Sequence, residues 1–267
     1  MIFLSKNGDD EYIDMYAQGL GLQSTPLESW RYEDSTEPLM LRGIMKHKII
    51  KQCWADQRPF RYMDSGYLGN RPSYQNPQGW KHWHRIVPNN LQHDQVIKRP
   101  GDRWSRLGLE ISRRRRGNHI LIAAPDEKPC RFYDIDLDTW LAETTATIQQ
   151  HTDRPIVIRE RNRSRTDRKI NRVENALGDA HALVTFNSIA GTEAILAGTP
   201  VFVLAPCNAA RPMSNTDLSR IDDPWFPDQD QIREWAYHLA YAQFHIDEFK
   251  NGSAERILKQ TEEILNA

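Results

Sequence analysis

The chain has 267 residues, with 35 Lys and Arg against 36 Asp and Glu, so that its formal net charge is −1. This length suits one large domain or two small ones. No apolar run approaches the roughly 20 residues of a transmembrane helix, so we expect no membrane partner, and the near-zero charge argues against a simple nucleic-acid coat protein.

The first hundred residues are predicted to form three short strands that alternate with two helices. Apolar residues recur at helical spacing after an Asn7-Gly8-Asp9 turn, and Gly21 is placed to end the first helix. This alternating order favours a small parallel sheet. The predicted strands cover 2–4, 39–41 and 60–63, and the predicted helices cover 10–20 and 44–54.

Two segments of this first part are predicted to be loops. Residues 22–37 are polar, and residues 64–100 carry Gly, Pro, Asn and aromatic residues without a clear period. Long loops in compact proteins are commonly functional. Four aromatic side chains of the second loop either stack on a flipped base or a sugar face, or merely cover the first sheet: Tyr67, Tyr74, Trp80 and Trp83.

The second part predicts a doubly wound α/β sheet, because four apolar strands alternate with helices. We therefore expect an α/β protein with two Rossmann-like parallel-sheet domains, a small one at 1–100 and a larger one at 101–267. The predicted strands cover 119–124 and 155–159, both expected to be buried, and 182–186 and 201–204. The predicted helices cover 137–150, 170–177, 190–197, 229–248 and 253–266.

The cysteines and the first residues indicate a reducing compartment. Cys53, Cys130 and Cys207 are too widely spaced for a disulfide framework or a CxxC metal site, and the chain turns acidic after four apolar residues, unlike a signal peptide. We therefore expect a cytoplasmic protein. Nothing in the sequence indicates its oligomeric state.

The segment from Ser188 to Pro200 carries the strongest motif. In doubly wound sheets, ligands bind beyond the carboxyl ends of the strands. Ser188 follows a predicted strand, and Gly191 and Thr192 open a helix whose free backbone N–H groups are expected to accept an anion. Glu193 is placed to accept hydrogen bonds from ribose hydroxyls. An ordinary capped strand–helix unit explains the same residues.

This motif, with Glu193 followed by Gly198-Thr199-Pro200, resembles the nucleotide-sugar site of GT-B glycosyltransferases and UDP-GlcNAc 2-epimerases. The chain also resembles small bacteriophage glycosyltransferases in the segments 62–67, 84–89, 153–156 and 240–244. The resemblance implies a compact GT-B fold, a UDP-sugar donor as co-substrate with no cofactor or metal, and a hydroxymethylated pyrimidine in double-stranded phage DNA as acceptor. A phage-encoded enzyme of this kind works in the host cytoplasm.

The chemistry of this family requires cations for the leaving diphosphate. Arg159 ends a predicted strand, which places it at a carboxyl edge as a donor ligand. The following loop contains Arg163 among several basic residues, and Arg113–Arg116 forms a second run. Both runs are candidates for contacts to acceptor phosphates, although solvated surface is the simpler explanation.

A catalytic base is also required, and Asp64 is the first candidate because it follows a predicted strand and opens the aromatic loop. Capping of a turn is the alternative role. Arg85 is expected to pair with Asp64 or with a phosphate. His82 and His84 are expected to be surface imidazoles, because no acidic or Cys partner stands at a metal-ligand spacing.

Three hypotheses therefore compete. The first is a metal-independent glycosyltransferase acting on DNA, and the second is an enzyme of the same fold acting on a glycan, or an epimerase. The third is a catalytically silent nucleic-acid-binding protein. Replacing Glu193 with Ala separates them, because donor binding weakens only under the first two.

Overall fold

The computed structural model describes residues 1–6, 10–44, 47–69, 82–159 and 176–265. The strands in chain order are β1 (Ile2–Ser5), β2 (Thr25–Pro26), β3 (Leu39–Arg42), β4 (Phe60–Ser65), β5 (Trp83–Pro88), β6 (His119–Ala123), β7 (Ile156–Arg159), β8 (Ala180–Thr185), β9 (Val201–Val203) and β10 (Gln243–His245). The helices are α1 (Glu11–Gly19), α2 (His47–Ala55), α3 (Asp102–Leu107), α4 (Glu127–Tyr133), α5 (Leu137–Gln149), α6 (Ala190–Leu196), α7 (Gln229–Tyr241), α8 (Ile246–Lys250) and α9 (Ser253–Leu265).

The chain divides into two compact units. Unit 1 comprises Met1–His93, Arg99–Leu107 and Tyr237–Ala267, and unit 2 comprises Asp94–Lys98 and Gly108–Ala236. Both units are discontinuous in sequence, and residues 237–267, which the sequence prediction places in a domain at 101–267, group with unit 1.

Unit 1 is built on a six-stranded mixed sheet with the order β10-β5-β4-β3-β1-β2. Strands β1 to β4 run parallel, as the alternating pattern predicted, whereas β5 and β10 are antiparallel to their neighbours. Its core packs α1 and α8 on the sheet, with Tyr16 edge-on to Phe3 at 5.4 Å between ring centroids and 5.1 Å from Phe249.

Two strands of this sheet correct the predictions. The expected loop at 64–100 contains β5, and the expected helix at 229–248 is interrupted by β10. Strand β5 pairs with β4, and β10 pairs with β5 through Phe244 opposite His84. Because β10 is three residues long and its partner lies far away in the chain, no local period distinguishes it from the end of a helix.

Hydrogen bonds from the buried Arg103 side chain hold the C-terminal segment in unit 1. Arg103 donates to the carbonyl oxygens of Ala240 and Gln243, at 2.9 and 2.8 Å, and to both carboxylate oxygens of Glu248. A guanidinium that is 8% exposed needs such a complete set of acceptors. These bonds explain why 99–107 and 237–267 join the first unit.

Unit 2 contains an all-parallel sheet with the order β7-β6-β8-β9, which confirms the doubly wound prediction. Ile120, Ile122, Val184 and Phe202 form its core. The prediction of a buried strand at 155–159 was wrong, because β7 is at the edge of the described sheet and Val157 and Ile158 are 43% and 46% exposed.

Several predicted features lie outside the described residues: the Asn7-Gly8-Asp9 turn, Tyr74, Trp80, Arg163 and most of the helix at 170–177. Across the part of the chain that the structure describes, no helix is both long enough and apolar enough to cross a bilayer.

Candidate functional site

Asp64 lies at the carboxyl end of β4, directly opposite Arg85 of β5 in the antiparallel ladder. Its Oδ2 accepts a hydrogen bond from the Tyr62 hydroxyl at 2.7 Å and one from Arg85 Nη2 at 3.3 Å. Its Oδ1 accepts the backbone N–H of Ser65 at 2.7 Å. The expected pairing of Arg85 with Asp64 is confirmed. These contacts hold the carboxylate in one orientation.

The surroundings of Asp64 keep its carboxylate ionised. Burial raises the pKa of Asp64, but the Arg85 charge and the Tyr62 hydrogen bond lower it by more than burial raises it. The pKa of Asp64 is therefore below its usual value. The side chain is nevertheless 36% exposed. Since a carboxylate offers about four acceptor positions, the three bonds above leave room for one substrate hydroxyl.

Arg85 and Tyr67 do not fit the acceptor-binding role expected for them. The Arg85 side chain is 7% exposed and donates to the carbonyl oxygens of Ser65 and Leu91 at 2.6 and 3.3 Å. Its guanidinium lies 5.3 Å from the centre of the Tyr67 ring, which is itself buried. The Tyr67 hydroxyl accepts the His93 N–H at 2.9 Å. Arg85 therefore supports Asp64 from within the protein, and Tyr67 packs beside Arg85.

The other aromatic and imidazole side chains of the expected loop differ in how far they are buried. Trp83 is half-buried and packs edge-on to His245 at 5.2 Å, so its acceptor role stays a prediction. The expectation of a surface His84 was wrong, because the ring is fully buried and lies 4.1 Å from the Tyr12 ring. Among the described residues, no group of three or more His, Cys, Asp or Glu is arranged to hold a metal ion.

Arg42 belongs to the same edge and was missed in the sequence. It ends β3, its guanidinium lies 4.5 Å from the Tyr12 ring centre, and its Nη1 is 3.3 Å from Asp10 Oδ1. Its charge also lowers the pKa of Asp64. The sequence could have placed Arg42 at this edge, because it follows the strand predicted at 39–41 and the carboxyl ends of parallel strands share one edge of the sheet.

Unit 1 also contains a buried histidine pair that the sequence did not indicate. His93 and His238 are 7% and 2% exposed, with ring centroids 5.4 Å apart. Burial lowers the pKa of both rings, and Arg99 adds to the effect. The pKa of His93 falls well below its usual value, and that of His238 falls to about 4. Both imidazoles are therefore neutral at neutral pH.

The donor motif in unit 2 forms the predicted strand–turn–helix, but its backbone amides already have partners. Ser188 Oγ accepts the Ala190 N–H at 3.2 Å, and the Ser188 carbonyl oxygen accepts the Gly191 N–H at 3.2 Å. The Thr192 N–H donates to the Ile189 carbonyl oxygen at 2.9 Å. The expectation of free N–H groups at this helix start was therefore wrong.

The small residues of this helix serve packing. A Cβ atom on Gly191 would lie 3.0 Å from the Cβ of Ala210, and Thr192 is 1% exposed. Both residues are packed inside unit 2, and their expected donor-binding roles stay predictions. Glu193 and Arg159 are half-buried, at the start of α6 and the end of β7, and their donor roles stay predictions together with that of Ser188.

The run Arg113–Arg116 lies at the opposite edge of the unit 2 sheet from these donor candidates. The backbone N–H groups of Ser112 and Arg115 donate to the carbonyl oxygens of Leu196 and Gly198, which precede β9. Asn118, just before β6, similarly donates to Asp179, just before β8. The run therefore follows the amino-terminal edge of the sheet, whereas Arg159 and Ser188 lie at the carboxyl-terminal edge.

Comparisons with known proteins identify the fold. No protein-family model matches the chain, and no curated protein matches it. Among solved structures, the chain is similar to the KpsC β-Kdo 2,7-transferase of Thermosulfurimonas dismutans, with a TM-score of 0.54, 12% identity, and coverage of 95% of this chain and 100% of that one. The KpsC β-Kdo 2,4-transferase of the same organism gives a TM-score of 0.40 at 11% identity over 75% and 78% of the two chains. The similarity to the first structure confirms the predicted α/β class with two Rossmann-like domains.

Proposed function

We propose that the protein is a glycosyltransferase that moves a sugar from a nucleotide-sugar to a hydroxyl acceptor. The observation that carries the proposal is Asp64, an ionised and oriented carboxylate that remains partly exposed at the carboxyl edge of a Rossmann-like sheet. Ligands of this fold class bind at such edges. The overall fold, which resembles that of a Kdo transferase, supports the same class of reaction.

In this mechanism Asp64 acts as the general base. An acceptor hydroxyl donates to the carboxylate, which takes its proton as the acceptor oxygen forms a bond to the anomeric carbon. The bond from that carbon to the donor phosphate oxygen breaks, and its electron pair stays on the phosphate. Tyr62 and Arg85 hold the carboxylate ionised before the transfer.

The donor side is assigned to the carboxyl edge of unit 2. Arg159 supplies a charge for the diphosphate, Ser188 a hydroxyl, and Glu193 an acceptor for ribose hydroxyls, as the sequence resemblance implies. The backbone amides of Gly191 and Thr192 already donate to the carbonyl oxygens of Ser188 and Ile189, so this assignment does not use them. A UDP-sugar is the first donor candidate, and transfer without a metal ion is part of the proposal.

Two acceptor classes follow from separate observations. The sequence resemblance favours a hydroxymethylated pyrimidine in phage DNA. The Kdo transferase neighbour favours a glycan hydroxyl. The cationic runs do not decide between them, because Arg113–Arg116 lies at the edge of unit 2 opposite to the donor candidates.

The test is an incubation with UDP-, GDP- and CMP-linked sugars, including Kdo, and with hydroxymethylated DNA or oligosaccharides as acceptors. Mass spectrometry of the products identifies the donor and the acceptor together. We expect transfer that falls by about 10²–10⁴-fold in Asp64→Asn, the usual contribution of a general base. Asp138→Asn, an exposed position in unit 2, is the matched control and retains activity. The absence of donor binding and of turnover across the panel would refute the proposal.

A further inference from the structure

Arg113–Arg116, the arginine run, places four exposed arginines at consecutive positions of unit 2. Within the described residues none of its four guanidiniums pairs with a carboxylate, and all four residues are exposed. Four other exposed arginines each pair with a nearby acid on the same helix or turn: Arg106 with Asp102, Arg131 with Glu127, Arg220 with Asp223, and Arg233 with Asp230. The run therefore concentrates positive charge on a chain whose net charge is −1.

The backbone beneath the run is fixed to unit 2. The N–H groups of Ser112 and Arg115 donate to Leu196 and Gly198 at 2.8 and 2.7 Å. Gly198 has a φ of +85°, and a Cβ there would lie 2.1 Å from the Arg113 carbonyl oxygen. Only glycine permits this close approach. The run is thus a supported segment, which lowers the entropy lost when its side chains bind a partner.

We propose that the arginine run is a docking surface for the phosphate backbone of a nucleic acid. Each guanidinium can donate two parallel hydrogen bonds to phosphate oxygens. The four residues span at most about 3.6 Å each along the chain, and phosphates along one strand of a duplex are spaced about 3.4 Å apart along the helix axis. Four consecutive arginines therefore concentrate positive charge over a length that spans several phosphates.

The surface is separate from the donor edge of unit 2. The six residues of β8 separate the two edges by about 16 Å at roughly 3.3 Å per residue. The inference does not rest on the proposed glycosyl transfer, because it concerns equilibrium binding alone.

The test measures binding of a fluorescent, unmodified 25-base-pair DNA duplex by anisotropy at 50 and 200 mM NaCl. If four phosphates are neutralised, the salt dependence of about 0.9 per phosphate predicts about 150-fold weaker binding at the higher salt. Replacing all four residues of the run with Gln should weaken binding at 50 mM NaCl more than tenfold and flatten the salt dependence. The matched control replaces Arg106, Arg131, Arg220 and Arg233 with Gln, which removes the same charge elsewhere.

The outcomes separate the proposal from its alternatives. Loss in the run variant and retention in the control support the docking surface, provided that both variants keep the wild-type melting temperature. A run variant that unfolds is replaced by the pair Arg114→Gln and Arg116→Gln, which leaves Arg113 and Arg115 beside Gly198. Equal loss in both four-residue variants, no DNA binding at 50 mM NaCl, or binding only to phosphatidylserine vesicles would overturn it.

Discussion

Replacing Arg61 with Met should destabilise unit 1 by about 3 kcal/mol. The Arg61 side chain is 5% exposed and donates to both carboxylate oxygens of Glu262, each at 2.7 Å, and to Glu255 at 2.6 Å. Removing one partner of a buried pair costs about 3–5 kcal/mol, since the other charge stays behind. Glu255 and Glu262 are 18% and 28% exposed and regain some hydration, which places the expected loss at the lower end.

The assay is urea unfolding at pH 7, compared with Arg233→Met as the matched control. Arg233 pairs with Asp230 on the surface, where a pair contributes about 0.5 kcal/mol or less. A second measurement near pH 3 tests how this stabilisation depends on pH. Burial raises the pKa of Glu255, but Tyr16 and Arg61 lower it below its usual value, so the stabilisation is present above the unfolded pKa and is lost as the pH falls through the folded one.

The two variants should therefore differ most at pH 7 and least in acid. Equal losses for Arg61→Met and Arg233→Met at pH 7 would refute the reasoning, because the buried contacts between β4 and α9 would then contribute no more than a surface pair.

Three further perturbations follow from the structure. In Tyr62→Phe, loss of the hydroxyl donor raises the pKa of Asp64, so the acid limb of the transfer rate against pH should move to higher pH; an unmoved limb contradicts the assignment of the base. His238 has a folded pKa of about 4 against the usual 6.5, so the unfolded state binds a proton first and stability declines as the pH falls from about 6.5 to 4. In His238→Gln this decline should be shallower, as measured by melting temperature across that range, and an identical slope argues against a buried neutral imidazole. Gly198→Ala adds a Cβ at 2.1 Å from the Arg113 carbonyl oxygen and strains a positive φ, so a loss of several kcal/mol is expected on urea unfolding, whereas Gly108→Ala, with open space around it, should cost about 1 kcal/mol.

The elements that the sequence predicted well are those whose pattern is complete within a few residues. The run at 119–124 is apolar throughout and became β6, and the apolar spacing at 10–20 became α1. The strand-end position of Asp64 was found in the same way. What failed were features that depend on distant partners: His84 is buried by β10 and α8, which come more than 150 residues later in the chain, and Gly191 is needed because Ala210 packs against it.

The sequence by itself determined the alternating α/β order and the candidate residues at strand ends, because hydrophobic period and strand polarity are local properties. Only the tertiary structure decided which of those residues are buried and which remain partly exposed. The register of β4 against β5 places Arg85 opposite Asp64, and β10 and α8 bury His84. Burial and hydrogen-bond partnership arise from segments far apart in the chain, so they become visible only when the chain is folded.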